Sequence, residues 1–205
     1  MPVRDFYYVS WRRAWDNFGL QSPAGLIERL VAAYIEPDRH YHSLQHLEEC
    51  IERFSNVMAS AKRPGEVEIA LWFHDAIYNV RGKTNERDSA AWAIRELAAA
   101  GASADVQSRV EQLIMATCHD AVPSDPDQQL LVDIDLSILG ASPERFKEYD
   151  LQVRREYSWV PGFLYKMKRK EVLRSFLARE YIYSTAVFRQ RYEAQARANL
   201  RGAID

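Results

Sequence analysis

Apolar positions recur at helical spacing along most of the chain. Leu26, Ile27, Leu30, Val31 and Tyr34 fall on one face, with Ser22-Pro23 ahead of them as cap and first-position proline and Pro37 as a stop. Ser43 is placed to cap a second helix whose inner face carries Leu44, Leu47, Ile51, Phe54 and Met58. Pro64-Gly65 breaks the chain. The following run, VEIALWFHDAIY, is apolar on nearly every side, which predicts a helix at the centre of the core. Thr84 opens another helix that ends near Gly101, a predicted left-handed cap. Ser103 to about Thr117, Asp125-Pro126 to Gly140 and the stretch opened by Ser142-Pro143 predict three more. Phe163 to about Leu200 reads as two long helices. No period-2 run bounded by turns and no Asn-Gly or Asp-Gly hairpin signal occurs, so no strand is predicted. The expected fold is all-α, one helical bundle over residues 1–205.

Composition narrows this without changing it. Apolar residues make up 47% and charged residues 27% of 205, enough to build a sizeable core. A net charge of -2 gives no general attraction for nucleic acid or anionic membranes. No stretch approaches the ~20 apolar residues of a membrane span. The start, MPVRDFYYVSWRRAWDNF, meets charges before any apolar run forms and does not read as a signal peptide. The two cysteines, Cys50 and Cys118, make no disulfide framework, and neither has a CxxC neighbour, which argues against a cysteine-based zinc or redox site. A reduced, cytoplasmic setting is expected.

Charge is unevenly spread. From Ala102 to Asp150 ten acidic residues stand against three basic, a balance of -7; from Arg154 to Arg201 twelve basic stand against four acidic, a balance of +8. The two regions either attract each other and solvate different faces, or the basic one helps to hold an anionic ligand. A nucleic-acid binder needs a coherent basic face. Lys166, Lys168, Arg169 and Lys170 point in several helical directions, so that partner is not expected.

All five histidines lie between residues 40 and 119. His42 and His46 share a helix face at i, i+4 spacing, which suits two ligands of one metal. The metalloprotease signature HExxH would need Glu at position 43, where this chain has Ser43, so a peptidase of that kind is not expected. His74-Asp75 follows directly on IALWF, and Asp133 and Asp135 lie within LLVDIDLSILG. Polar groups in such apolar runs are costly to bury unpaired. A bound cation or a buried arginine would offset that cost.

The ordered set His46, then His74-Asp75 after 28 residues, then Asp135 after 60 more, resembles the H…HD…D pattern of the HD superfamily of metal-dependent phosphohydrolases. More narrowly, RHYHSLQH, LWFHDAIY, NERDSA, DIDLSILG and YEAQARANL resemble a small bacterial subfamily of predicted HD phosphohydrolases. The resemblance spans nearly the whole chain. It implies an all-helical bundle with a metal-site core over about 22–140 and C-terminal helices 142–200 packed on it. It implies metal ligands at His46, His74, Asp75 and Asp135, with Asp133 in reserve because the DxD spacing leaves the alignment two residues loose. The implied cofactor is a divalent ion. Two imidazoles and two carboxylates suit Mn, Fe, Co, Ni or Zn better than Mg alone. The implied activity is hydrolysis of a small, nucleotide-like phosphoester by metal-activated water, and many members are homodimers. Asp75 is expected to orient water, and His42 and His119 to hold a second metal, contact phosphate or donate a proton. Arg39 is the expected phosphate clamp, with Lys83 second and Arg81 weaker still. Several relatives carry an acid three or four positions after the doublet. Here those positions hold Tyr78 and Asn79, and Glu86 is the nearby substitute. The competing expectation is a module that binds metal and nucleotide without turnover.

Overall fold

The computed structural model describes residues 5–119 and 121–204. Residues 1–4, part of the stretch read above against an export signal, and Asp120, counted in the acidic balance, lie outside that description, as does Asp205. Every regular element among the described residues is helical. None of these helices is long and apolar enough to cross a membrane. The chain divides into two compact units, residues 1–132 and 133–205.

The first unit contains α1 (Asp5–Phe18), α2 (Leu26–Tyr34), α3 (Leu44–Val57), α4 (Pro64–Phe73), α5 (Asn85–Ala99) and α6 (Ala104–Met115). Helix α7 (Pro126–Asp135) begins in it and ends in the second unit. The first helix was not anticipated, although Tyr7, Trp11, Ala14 and Trp15 bury one face at i, i+3 and i+4 spacing. Helix α2 buries the five residues expected of it but starts later than Ser22-Pro23 suggests. A turn closed by the Leu26 amide on the Pro23 carbonyl intervenes, and Gly25, at φ 70°, takes the cap position in the left-handed region open to glycine. Pro64-Gly65 breaks the chain only in the sense that Pro64 is the first residue of α4.

Helix α4 is the axis of this unit and packs against α1, α3, α5 and α6. Every residue from Gly65 to Phe73 is buried. Each large apolar side chain so placed contributes about 1.5–3 kcal/mol. Two acids lie in this helix, and each has its own cation. Glu68, with no exposed surface, accepts from Arg13 Nε at 2.9 Å and from Ser10 Oγ at 2.6 Å. Glu66 takes both arms of Arg109 at 2.8 and 2.6 Å. Ser10 Oγ also accepts from Trp72 Nε1 at 3.0 Å, so the polar chain runs through the aromatic core. Such charge-assisted bonds are what make buried carboxylates tolerable.

The second unit contains a 3-10 turn (Leu136–Gly140), α8 (Pro143–Glu156), α9 (Gly162–Leu177) and α10 (Ala186–Ile204). Helix α7 therefore ends at Asp135, five residues before the expected Gly140. Ser142 caps α8 by accepting from the Arg145 amide, as its Ser-Pro pair predicts. The two long C-terminal helices are α9 and α10. Gly140 meets α10 so closely that an added Cβ would lie 2.7 Å from Tyr192 Cβ, which leaves room for no side chain. Asn199 bridges the same turn, donating to the carbonyls of Leu139 and Ala141 at 2.8 and 2.9 Å.

The Glu68 network yields a stability test. Glu68→Ala strands Arg13 and Ser10 against the core and should cost about 2–3 kcal/mol in urea unfolding. Removing the exposed carboxylate of Glu52 should change stability by less than about 0.5 kcal/mol.

Candidate metal centre

The centre of the first unit is where α4 stops. His74 follows the last helical residue and caps it, with its amide on the Ala70 carbonyl at 2.9 Å. The helix ends in a buried place, so its remaining carbonyls need protein donors. His74 Nδ1–H donates to the Leu71 carbonyl at 2.8 Å, and Tyr34 OH donates to the Trp72 carbonyl at 3.2 Å. Tyr34 oxygen in turn accepts from the Asp75 amide at 3.3 Å. Burial of that phenol pushes its pKa well above the ordinary tyrosine value, so it stays a neutral donor.

With Nδ1 spent on Leu71, the His74 tautomer leaves Nε2 as a bare lone pair. That atom lies 3.1 Å from His46 Nε2 and 3.1 Å from Asp75 Oδ2. His46 Nε2 lies 3.4 Å from the same oxygen. His46 comes from the buried face of α3, its ring tilted by 41° against Tyr41 with centroids 4.7 Å apart. The Asp75 carboxylate keeps 15% of its side chain exposed. Burial alone would raise its pKa, but the imidazoles of His74, His42 and His46 outweigh this and hold it below the ordinary carboxylate range.

Two imidazole nitrogens on a tetrahedral ion at ~2.1 Å lie about 3.4 Å apart. The observed separation of 3.1 Å is within a few tenths of that. Within the first unit His46, Cys50 and His74 each offer a ligand atom, and these atoms lie within 4.8 Å of one another, so the group could hold a metal ion. Cys50 is the member that sequence reasoning set aside for want of a CxxC partner. Its signal was the i, i+4 spacing to His46, which puts both on one face of α3.

The remaining candidates fall in different places. Asp133 has no exposed surface, and both its oxygens are taken by the approach to α10. Oδ1 accepts from the Ser184 amide at 2.7 Å, and Oδ2 from the Thr185 amide at 2.7 Å and Thr185 Oγ1 at 2.6 Å. Its direct partners are the donors that lead into α10, and the positive charge of Arg189 acts on it as well. Arg39 does not present an open fork to a phosphate. Its side chain is 1% exposed and donates to Glu36 Oε2 at 3.1 Å and to the carbonyls of His42, Asp75 and Ala76 at 3.2, 2.5 and 2.9 Å. The guanidinium also lies over the Tyr34 and Tyr78 rings. It is the clamp of the His-Asp turn.

His42 stacks on Tyr78 with centroids 4.1 Å apart, and its charge acts on Asp75. Asn79 pins the next turn, its amide donating to Asn85 Oδ1 and its carbonyl accepting from Asn85 Nδ2, each at 3.0 Å. Glu86 stands in the first turn of α5, Lys83 and Arg81 in the exposed link before it. His119 sits after a 3-10 turn in the left-handed region at φ 58°. None of these five belongs to the group that could hold the ion. Tyr41 and Trp72 are core residues, as expected.

No family model, no curated protein and no solved structure matches this chain.

Two substitutions separate scaffold from centre. Arg39→Lys replaces a planar fork that spans three carbonyls by a point charge, and should lower the unfolding midpoint by the equivalent of about 2 kcal/mol. Asp133→Ala leaves three donors at the start of α10 without their acceptor. It should cost a similar amount or more in thermal or urea unfolding, while metal content of the folded fraction is unchanged.

Proposed function

We propose that this chain is a metal-dependent phosphohydrolase of the HD type, a phosphomonoesterase or phosphodiesterase acting on a small, nucleotide-like phosphoester. The observation that carries the reading is the meeting of His46 Nε2, His74 Nε2 and Asp75 Oδ2 within 3.4 Å, on a histidine tautomer set by the Leu71 carbonyl. These are the positions at which the motif resemblance puts ligands, with Asp135 as the fourth. A divalent ion bound there supplies an activated water at neutral pH and offsets charge on phosphoryl oxygens. The protein residues supply the rest. His46 and His74 present lone pairs. Asp75, partly open to solvent, would orient an attacking water. His42, beside Asp75, is the nearest candidate to protonate a leaving oxygen, with His119 as the alternative.

Arg39 enters this reading as a positioning residue. The phosphate contacts then fall to the ion and to the exposed Lys83 and Arg81. Internal pairing of part of the basic C-terminal stretch supports a small phosphoester over nucleic acid as the partner. Arg169 pairs with Asp150 at 3.0 Å, Arg197 with Glu193 at 2.8 Å, and Arg154 donates to the Tyr157 and Val160 carbonyls. A cytoplasmic location and a homodimer belong to the same proposal.

A second reading is a module that binds a metal and a nucleotide without turnover. It is favoured by one observation: the positions of the missing acid are filled by Tyr78 and Asn79, both engaged in local structure.

Elemental analysis of the purified protein should find about one or two divalent transition-metal ions per chain, lost in His74→Ala and in Asp135→Ala. Hydrolysis of p-nitrophenyl phosphate or its bis-ester should require a divalent transition-metal ion, tested with Mn, Fe, Co, Ni and Zn in turn. It should fall at least about 100-fold in His74→Ala. Nucleotide binding with retained metal but no turnover would select the module. Absence of metal after incubation with Mn, Fe and Zn would remove both readings.

A further inference from the structure

Cys50 lies one helical turn after His46 on α3 and is buried to 1%. Its Sγ stands 3.8 Å from both ring nitrogens of His46. The ligand atoms gathered with it in the first unit are the imidazole nitrogens of His46 and His74, a donor type of a cation site. On a tetrahedral ion with Zn–N of ~2.1 Å and Zn–S of ~2.3 Å, sulfur and nitrogen lie about 3.6 Å apart. The 3.8 Å observed between Cys50 and His46, like the 3.1 Å between the two imidazoles, needs only a few tenths of adjustment to close on one ion.

We propose that Cys50 enters the metal centre as a thiolate ligand beside His46 and His74, and makes it a site for a thiophilic divalent ion such as Zn(II) in preference to Mg(II) or Mn(II). This rests on the metal-centre reading above and adds a residue that the H…HD…D pattern does not contain. The preference follows from ligand softness. Thiolate and imidazole favour Zn(II) and its neighbours in the first transition row, whereas Mg(II) and Mn(II) favour carboxylate, carbonyl and water oxygen. On binding, the thiol proton leaves to solvent and the sulfur lone pair goes to the ion. The geometry that makes this available is local to α3 and the end of α4, where His74 is already held in the ligating tautomer.

The test uses the full chain, stripped of metal with a chelator and titrated with Co(II) as a spectroscopic stand-in for Zn(II). Wild type should develop a sulfur-to-cobalt charge-transfer band in the near ultraviolet together with the visible bands of a tetrahedral ion. Cys50→Ser and Cys50→Ala should bind Co(II) without the near-ultraviolet band. In competition with a chromophoric chelator their Zn(II) affinity should fall at least about tenfold. Mn(II) affinity, followed by electron paramagnetic resonance, should stay within about twofold, which separates loss of a soft ligand from loss of the fold. Co(II) binding that is abolished by His74→Ala but carries no sulfur band in wild type overturns the thiolate ligand and leaves the metal centre standing. No Co(II) or Zn(II) binding by wild type overturns both. The wild-type spectrum decides between these outcomes even where a variant fails to fold.

Discussion

A helix that is buried on every side and stops inside the protein presents its last carbonyls to a place without water. Helix α4 does this, and much of the first unit answers that constraint. The carbonyls of Leu71 and Trp72 take protons from His74 Nδ1 and Tyr34 OH, and those of Asp75 and Ala76 from Arg39. Each donor settles something else as it does so. His74 is left with its Nε2 lone pair exposed toward His46. Tyr34 fixes the Asp75 amide, and Arg39 holds the turn that carries the Asp75 carboxylate. Satisfying the helix end and building the candidate centre are the same set of bonds.

The buried acids follow a single rule with different outcomes. Glu66 and Glu68 each find an arginine, Asp127 accepts the amides of Lys62 and Arg63, and Asp133 accepts those of Ser184 and Thr185. Asp75 alone among these is surrounded by imidazoles. Two ring nitrogens and a carboxylate oxygen that meet within 3.4 Å form a donor set for a cation, which is the physical reason to read the His46–His74–Asp75 group as a cation site and the other acids as scaffold.

Element boundaries show where local chemistry is decisive and where it is overruled. Ser103 and Ser142 cap their helices through side-chain oxygens, as their sequence contexts predict. Ser22 does not, because Gly25 can take a left-handed conformation and start α2 with its apolar face correctly turned. Helix α1 went unread although Tyr7, Trp11 and Trp15 are spaced as any amphipathic helix. Its charged residues, Arg12, Arg13 and Asp16, interrupt that face in sequence but lie off it on the helix.

The sequence by itself determined the all-helical class, since apolar spacing of three and four residues suits no other regular structure, and it marked α4 as central through its unbroken apolar run. It also singled out the His74-Asp75 doublet, because polar groups inside such a run demand partners, and His46 through its spacing to His42. What those partners are was beyond its reach. Whether Asp133 meets a cation or two amides depends on a segment fifty residues away, and whether Arg39 is open to a phosphate depends on where three carbonyls come to lie. Cys50 was overlooked because a spacing rule for cysteine pairs says nothing of a cysteine one turn from a histidine. Only the tertiary structure decided these points, because a side chain's role is set by which donors and acceptors the fold brings within about 3 Å of it, and pattern along the chain carries no record of that distance.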